Sequence, residues 1–456
     1  MESSENKIIE KPELSEKQIQ LNNKMKKIFL NSFSLEQEDK KETVKDIITE
    51  SKETIKEAKK EDIPKEKTKF NDILEHKAEF NLKKLGKKFH LFYYQCKNAS
   101  EDKIIYKIGK LLLFTYGKNY PKITGSRNKK TFTSDTNWGC MIRCGQMILS
   151  RGIYRALKSK GIDTKNAIYY TFSLFNNYPI KEINLHKSFH GMLNKYKELI
   201  KEEPGELSKK NIKEFFPPFS IRTLCQFGEL SEKNVGDWFS DVIMTHIFKN
   251  ISEYYELFNS ENLNLKIMNF QSCIEIKDIL NTCFIEKKRE KDNNNYIHMS
   301  GKYYYFDKIG IIFVNVRIGL DAIPKEYYKG IKELFNLKEC IGIIGGKTRQ
   351  AYYFIGYNDN EDSLIFLDPH VTKEDDKSIN YNNILSKHIV KPIYSLKMSK
   401  MSTGFTIGFC FRNYEEFLHL FEFWQKAKQN KVPILGVVKS PIVIESKHKD
   451  LDGDDF

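Results

Sequence analysis

Two segments of this 456-residue chain carry residue types that can do covalent chemistry. The first, Thr133 to Met147, reads TSDTNWGCMIRCGQM: a polar loop ends in Trp138, Gly139 and Cys140 and then turns into an amphipathic helical pattern. A cysteine that opens a helix has free backbone N–H groups and the positive end of the helix dipole beside it, and both favour thiolate over thiol. Gly139 lets a substrate approach the backbone closely, and the Cys140 N–H is placed to help hold an oxyanion. The second segment, Gly342 to His370, reads GIIGGKTRQAYYFIGYNDNEDSLIFLDPH. Residues two apart on an extended chain face the same side, so Asp368 and His370 project together, with Pro369 fixing the backbone between them. A carboxylate beside a histidine orients the ring and stabilises its cation, which pairing with a thiolate requires. Together the segments offer Cys140 as nucleophile, His370 as base and acid, and Asp368 as orienter. Each alone has a plainer reading: a small buried cysteine at a helix start, and an aspartate opening a turn.

A helix and a sheet must meet to bring these side chains together. Apolar residues at three-to-four spacing predict helices over Cys140–Ser159, Phe189–Lys201, Asn234–Phe248, Lys325–Phe335 and Tyr414–Gln429. Strands are expected at Leu265–Phe270, Gly310–Ile318, Ile341–Ile344, Tyr352–Tyr357, Leu364–Asp368 and Phe405–Phe411, the last four as an antiparallel meander. The expected fold is α/β (α+β), with a helix-borne cysteine packed against an antiparallel sheet that carries Asp and His. Lys287–Asn295, KKREKDNNN, reads as a solvent loop.

Residues 1–88 hold 21 Lys and 19 acidic residues with no Arg, Cys, Tyr or Trp, too few apolar groups to offset the entropy of a packed domain. They read as a disordered charged tail with transient helix around Glu50–Glu61. One folded catalytic region is expected over 89–432 and a flexible tail over 433–456. The net charge of +14 therefore falls mainly on the folded region. No nucleic-acid-binding pattern accompanies it, and the lysines interleave with acids instead of forming a stripe. Eight scattered cysteines point to a reducing compartment. The N-terminus lacks a secretory apolar core, and the longest apolar-rich run, Ile309–Leu320, is interrupted by Asn315 and Arg317, so a cytoplasmic location is expected. Neither metal nor cofactor is required by the chemistry. Cys140 and Cys144 lack the second pair of a zinc site, and Cys144 reads as a core residue.

The runs SDTNWGCMIRCGQM, GIIGGK followed by YYFIGY, and LIFLDPH resemble the signatures of the autophagins, the autophagy-related protein 4 cysteine proteases. FTYGKNYPKI at Phe114–Ile123, GDWF at Gly236–Phe239, VRIGLD at Val316–Asp321 and FTIGFCFRNYEEF at Phe405–Phe417 extend the resemblance, in the same order, over about residues 90–430. The resemblance implies a papain-like peptidase that cleaves the ubiquitin-like autophagy-related protein 8 after a C-terminal glycine and releases it from phosphatidylethanolamine, with transient contact to the membrane surface. It carries the triad onto Cys140, Asp368 and His370, and an oxyanion-side tyrosine onto Tyr116. A mobile regulatory loop falls on Lys347, Thr348, Arg349 and Gln350, where Thr348 stands in place of the family's usual Pro. No Trp lies between Trp238 and Trp424 to guard the cleft, which leaves Phe258 as the substitute aromatic. Phe70–Ile73, FNDI, has the aromatic-x-x-aliphatic form of a short motif that docks on autophagy-related protein 8. Two other readings stand beside this one: a ubiquitin-fold-modifier protease, which also carries Trp-Gly-Cys and Asp-Pro-His, and a non-catalytic adaptor, which has no need of a triad.

Overall fold

The computed structural model describes residues 88–97, 108, 110–179, 194, 216–260, 263–290, 295–359, 361–375, 381–388, 393–429, 434–437 and 442–443. The charged N-terminal segment with Phe70–Ile73, the expected helix at Phe189–Lys201 and most of Lys291–Asn295 lie outside them.

A ten-stranded, mostly antiparallel sheet divides the molecule into two packed layers. Its strands are β1 (Lys88–Leu91), β2 (Tyr94–Lys97), β3 (Asn259–Ser260), β4 (Leu263–Gln271), β5 (Ile309–Arg317), β6 (Cys340–Lys347), β7 (Gln350–Asn358), β8 (Ser363–Leu367), β9 (Tyr394–Lys397) and β10 (Gly404–Phe411). Across the sheet the order is β9-β8-β7-β6-β10-β5-β4-β3, and only β4 and β5 run parallel. Strand β7 shares one edge between two partners. Residues 350–354 pair with β6, residues 356–358 with β1, and a bulge near Gly356 shifts its register against β8 on the other edge.

Side-chain alternation decides what each face buries. Ile311 and Phe313 of β5 face one core, and Ile312, Val314 and Val316 face the other. The first core receives helix α1 (Cys140–Ser159), whose residues are buried almost all round, because α2 (Asp241–Tyr254) and the helix Thr164–Ser173 cover its outer side. The second core is closed by α3 (Tyr328–Asn336) and α4 (Tyr414–Gln429), with Trp424 set edge-on against Phe409. Among the described residues no helix is long and apolar enough to cross a membrane.

Three expectations need correction. The helix expected from Asn234 begins at Asp241. Asn234–Asp237 forms a turn closed by hydrogen bonds between these two residues, and Ser240 caps the helix by accepting from the Ile243 N–H. The expected four-strand meander has only three members, β6, β7 and β8. The chain then passes through the helix Tyr381–His388 and β9, and returns as β10 on the far edge of β6, where it also pairs with β5. Past Val432 the chain does not simply trail away. Gly436–Val437 pairs parallel with Cys273–Ile274, Ile442–Val443 pairs with His298–Met299, and Leu435 is buried. Such two-residue strands are too short to show any sequence period.

Candidate active site

The loop before α1 is folded around one buried carboxylate. Asp135 accepts from the Gly117 N–H at 2.7 Å and from Arg143 through Nε at 2.9 Å and Nη2 at 3.1 Å. The Asp135 carbonyl takes the N–H groups of Trp138 and Gly139. Burial opposes the charge of Arg143, but Asp135 outweighs it and raises the guanidinium above its ordinary value. Gly139 is required by contact: a Cβ there would lie 2.3 Å from Asp135 Oδ2. The clamp delivers Cys140 as the first residue of α1, at the positive end of the helix dipole.

Trp238 reaches the same sulfur from another part of the chain. Its indole Nε1 donates to Cys140 Sγ at 3.1 Å, while the side chain remains 42% exposed. A relay of rings sets that position. Trp138 packs edge-on against Phe132, and Phe132 fills the space beside Gly236, whose φ of +91° suits glycine and whose missing Cβ would meet that ring at 2.3 Å.

Asp368 and His370 follow the end of β8. Asp368 Oδ1 lies 2.5 Å from His370 Nδ1 and also accepts the His370 backbone N–H at 2.9 Å, which fixes the ring's orientation. Tyr116 and Tyr352 present rings at 5.6 and 5.5 Å from the imidazole, both near edge-on. Tyr116 is tied to the same segment through its backbone: its N–H donates to the Pro369 carbonyl, and its own carbonyl accepts from Lys373.

The electrostatics couple these groups. Burial raises the Cys140 pKa, but the polar groups of His370, Ala351, Trp238 and Tyr116 around the sulfur outweigh it and hold the thiol below its ordinary 9.0. Of these, Trp238 makes the hydrogen bond to the sulfur, and His370 Nε2 is buried without a hydrogen-bond partner. Burial likewise disfavours the His370 cation, yet Asp368 and Cys140 raise its pKa to about 9. Each group thus favours the other's charged form, the condition for a thiolate–imidazolium pair at neutral pH. Burial, with Cys140 next, pushes the Tyr116 hydroxyl well above its ordinary value, so it stays protonated and able to donate. Cys144, one turn into the helix, is fully buried and also well above its ordinary pKa, through burial first and then Cys140.

Lys347 to Gln350 form a tight hairpin. Lys347 pairs with Gln350, Thr348 and Arg349 make the turn, and Arg349 adopts a left-handed φ of +63°. The hairpin borders the site through Ala351, the next residue of β7, and Lys347 Nζ sits 6.0 Å from the centre of the Tyr352 ring. Phe258 lies 1% exposed in the core, away from any cleft, and the aromatic that reaches the Cys140 sulfur is Trp238. Sequence reasoning noted the GDWF run but looked for the guarding aromatic beyond it. It also gave no part to Asp135, Arg143 or Tyr352.

The peptidase C54 catalytic domain model matches residues 101–423. The chain is 28% identical over 326 residues to the human cysteine protease ATG4C, covering 66% of this chain and 67% of that protein. It is 30% identical to Xenopus laevis ATG4C over 324 residues, 66% of each chain, and 25% identical to chicken ATG4B over 348 residues, 73% of this chain and 77% of that one. Such a match over most of the described structure, joined to a papain-like α/β fold, makes the chain a cysteine-type peptidase of the autophagy proteases and a member of the peptidase C54 family.

Proposed function

We propose that the protein cleaves a ubiquitin-like autophagy-related protein 8 after its C-terminal glycine and releases the same protein from phosphatidylethanolamine. The mutual stabilisation of the Cys140 thiolate and the His370 imidazolium carries this reading, and the family's motifs supply the substrate class. In the proposed reaction Cys140 Sγ attacks the glycine carbonyl carbon, and the carbonyl π pair moves onto oxygen. In this scheme Tyr116 O–H and the Cys140 N–H donate to that oxyanion. Collapse of the tetrahedral intermediate expels the amine, which takes its proton from His370 Nε2. Water then attacks the thioester while His370 accepts its proton, and the thiolate leaves. Asp368 holds the imidazole in orientation throughout. A peptide nitrogen and the ethanolamine nitrogen of a lipid are equivalent leaving groups in this scheme, so one site serves processing and delipidation. The Lys347–Gln350 hairpin is the proposed regulatory element at its border, and the enzyme works in the cytoplasm with transient contact to membranes.

The test is incubation with autophagy-related protein 8 in two forms, one with a C-terminal extension and one conjugated to phosphatidylethanolamine in vesicles. Wild type should cut both and Cys140→Ala neither. Cleavage that survives in Cys140→Ala overturns the triad, and cleavage of a ubiquitin-fold modifier in preference to either form overturns the substrate.

A further inference from the structure

Three turns along α1 from Cys140, a cation stands without a counterion. At 1.5 Å per residue Arg151 lies about 16 Å from the nucleophile. Its guanidinium carbon sits 3.6 Å over the Phe92 ring, between β1 and β2. Among the described residues it forms no hydrogen bond or ion pair, and its Nε is buried without an acceptor.

The nearby carboxylates are engaged elsewhere. Glu416 accepts from Arg412 Nε at 2.9 Å and from the Arg412 backbone N–H at 3.0 Å, and Arg155 Nη2 stands 3.9 Å from it. Glu339 holds His419 Nδ1 at 2.9 Å through Oε2, while its Oε1, 3.7 Å from Lys338 Nζ, is buried without a hydrogen-bond partner. Arg155, one turn beyond Arg151, donates Nη1 to the Lys338 carbonyl but also has a buried Nε without an acceptor.

Over this surplus charge the β1–β2 hairpin exposes Tyr93 and Tyr94, their hydroxyl oxygens 2.5 Å apart. Burial and Tyr93 push Tyr94 up to about 12 while Arg151 and Arg155 pull it back, so the phenol stays protonated within electrostatic reach of both guanidiniums. A planar N–H fork, a second guanidinium and a phenol pair in which Tyr93 donates to Tyr94 form a net-positive surface with no acceptor assigned to its central cation. Tetrahedral oxyanions, with several lone pairs and more than one negative charge, complement such a surface better than a single carboxylate does.

We propose that Arg151, Arg155, Tyr93 and Tyr94 form a binding site for a phosphate group, remote from the catalytic cysteine and carried on the same helix.

Thermal unfolding of the full chain, with inorganic phosphate titrated against sodium chloride at matched ionic strength, tests it. Wild type should show a saturable rise of about 4 °C at a hundredfold excess over Kd. Arg151→Met should lose that rise and, having shed a cation whose Nε is buried without an acceptor, should melt no lower than wild type without phosphate. Tyr93→Phe, at an exposed position that tolerates the change, should keep the rise with its midpoint moved several-fold to higher phosphate. Pelleting with phosphatidylcholine vesicles that contain phosphatidylinositol phosphate separates the sources: retention lost in Arg151→Met assigns a lipid headgroup, and a phosphate response without retention assigns a soluble phosphomonoester. An equal rise in wild type and Arg151→Met, or no wild-type rise beyond the chloride control, overturns the proposal.

Discussion

The indole of Trp238 and the sulfur of Cys140 meet at 3.1 Å although 98 residues separate them in the chain. Hydrogen bonds to charged groups are worth about 1.5–3 kcal/mol, so this contact alone helps decide whether the sulfur is ionised. Trp238→Phe keeps most of the ring and removes the donor. The Cys140 pKa should rise, seen as a shift of the acid limb of iodoacetamide alkylation toward higher pH, and kcat/KM should fall about tenfold. An unmoved limb would show that the indole acts only by covering the cleft.

The coupled titration of Cys140 and His370 predicts an unusual pH dependence of stability. His370, raised from 6.5 to about 9, contributes stability that is fully present below 6.5 and lost as pH rises through about 9. Cys140, lowered from 9.0, contributes stability that is present above 9.0 and lost as pH falls through its depressed value. The two slopes oppose one another across neutral pH, so the wild-type denaturant midpoint should change little there, while activity should decline above about pH 9 as the imidazolium is lost. Cys140→Ala removes one slope and leaves the Asp368-supported part of the other. Its midpoint should fall as pH rises above 6.5, and a profile parallel to wild type would refute the coupling.

Gly139→Ala places a Cβ 2.3 Å from Asp135 Oδ2 and 2.6 Å from Asp135 Cβ, so the carboxylate must move away from Arg143. Disturbing a buried, hydrogen-bonded ion pair costs about 3 kcal/mol, which a denaturant midpoint will register. Because the same loop sets the first residue of α1, kcat should drop by about a hundredfold. Wild-type stability in this variant would mean that the clamp relaxes freely.

Tyr352 is a positioning residue in this geometry. Its ring braces His370 at 5.5 Å, and its hydroxyl, pushed up to about 12 chiefly by burial and then by Asp368, donates to Gln350 at 2.8 Å. Tyr352→Phe should stay within about threefold of wild type, since one partly exposed hydrogen bond is worth about 0.5 kcal/mol. Tyr352→Leu frees the imidazole and should lower kcat about tenfold at nearly constant KM, and it should also move the alkylation profile. A change in KM alone would make Tyr352 a substrate contact.

Much of this site was legible in the linear chain, for identifiable reasons. Cys140–Ser159 has the predicted ends because Gly139 and the polar loop before it interrupt an otherwise continuous apolar pattern. Asp368 and His370 are two residues apart, and so short a separation leaves little for tertiary structure to decide. The Trp238 contact depends instead on a ring relay through Phe132 and Trp138, three residues that no local period connects. The place of β10 was missed for a similar reason: its own residues specify a strand, but its neighbours are fixed by the long connection through Tyr381–His388. A buried Arg143 is equally unreadable, since an arginine three positions into a helix looks like an ordinary surface residue until Asp135 is found beneath it.

The donors gathered on the Cys140 sulfur have a kinetic side. A thiolate stabilised by the Trp238 indole, with Ala351 and Tyr116 beside it, is easily formed but a blunted nucleophile. Ala351 follows directly on the Lys347–Gln350 turn, and the exposed Trp238, which holds the hydrogen bond to the sulfur, sits in the loop before α2. The ease with which the sulfur ionises and the force with which it attacks are thereby set against each other by the same donor.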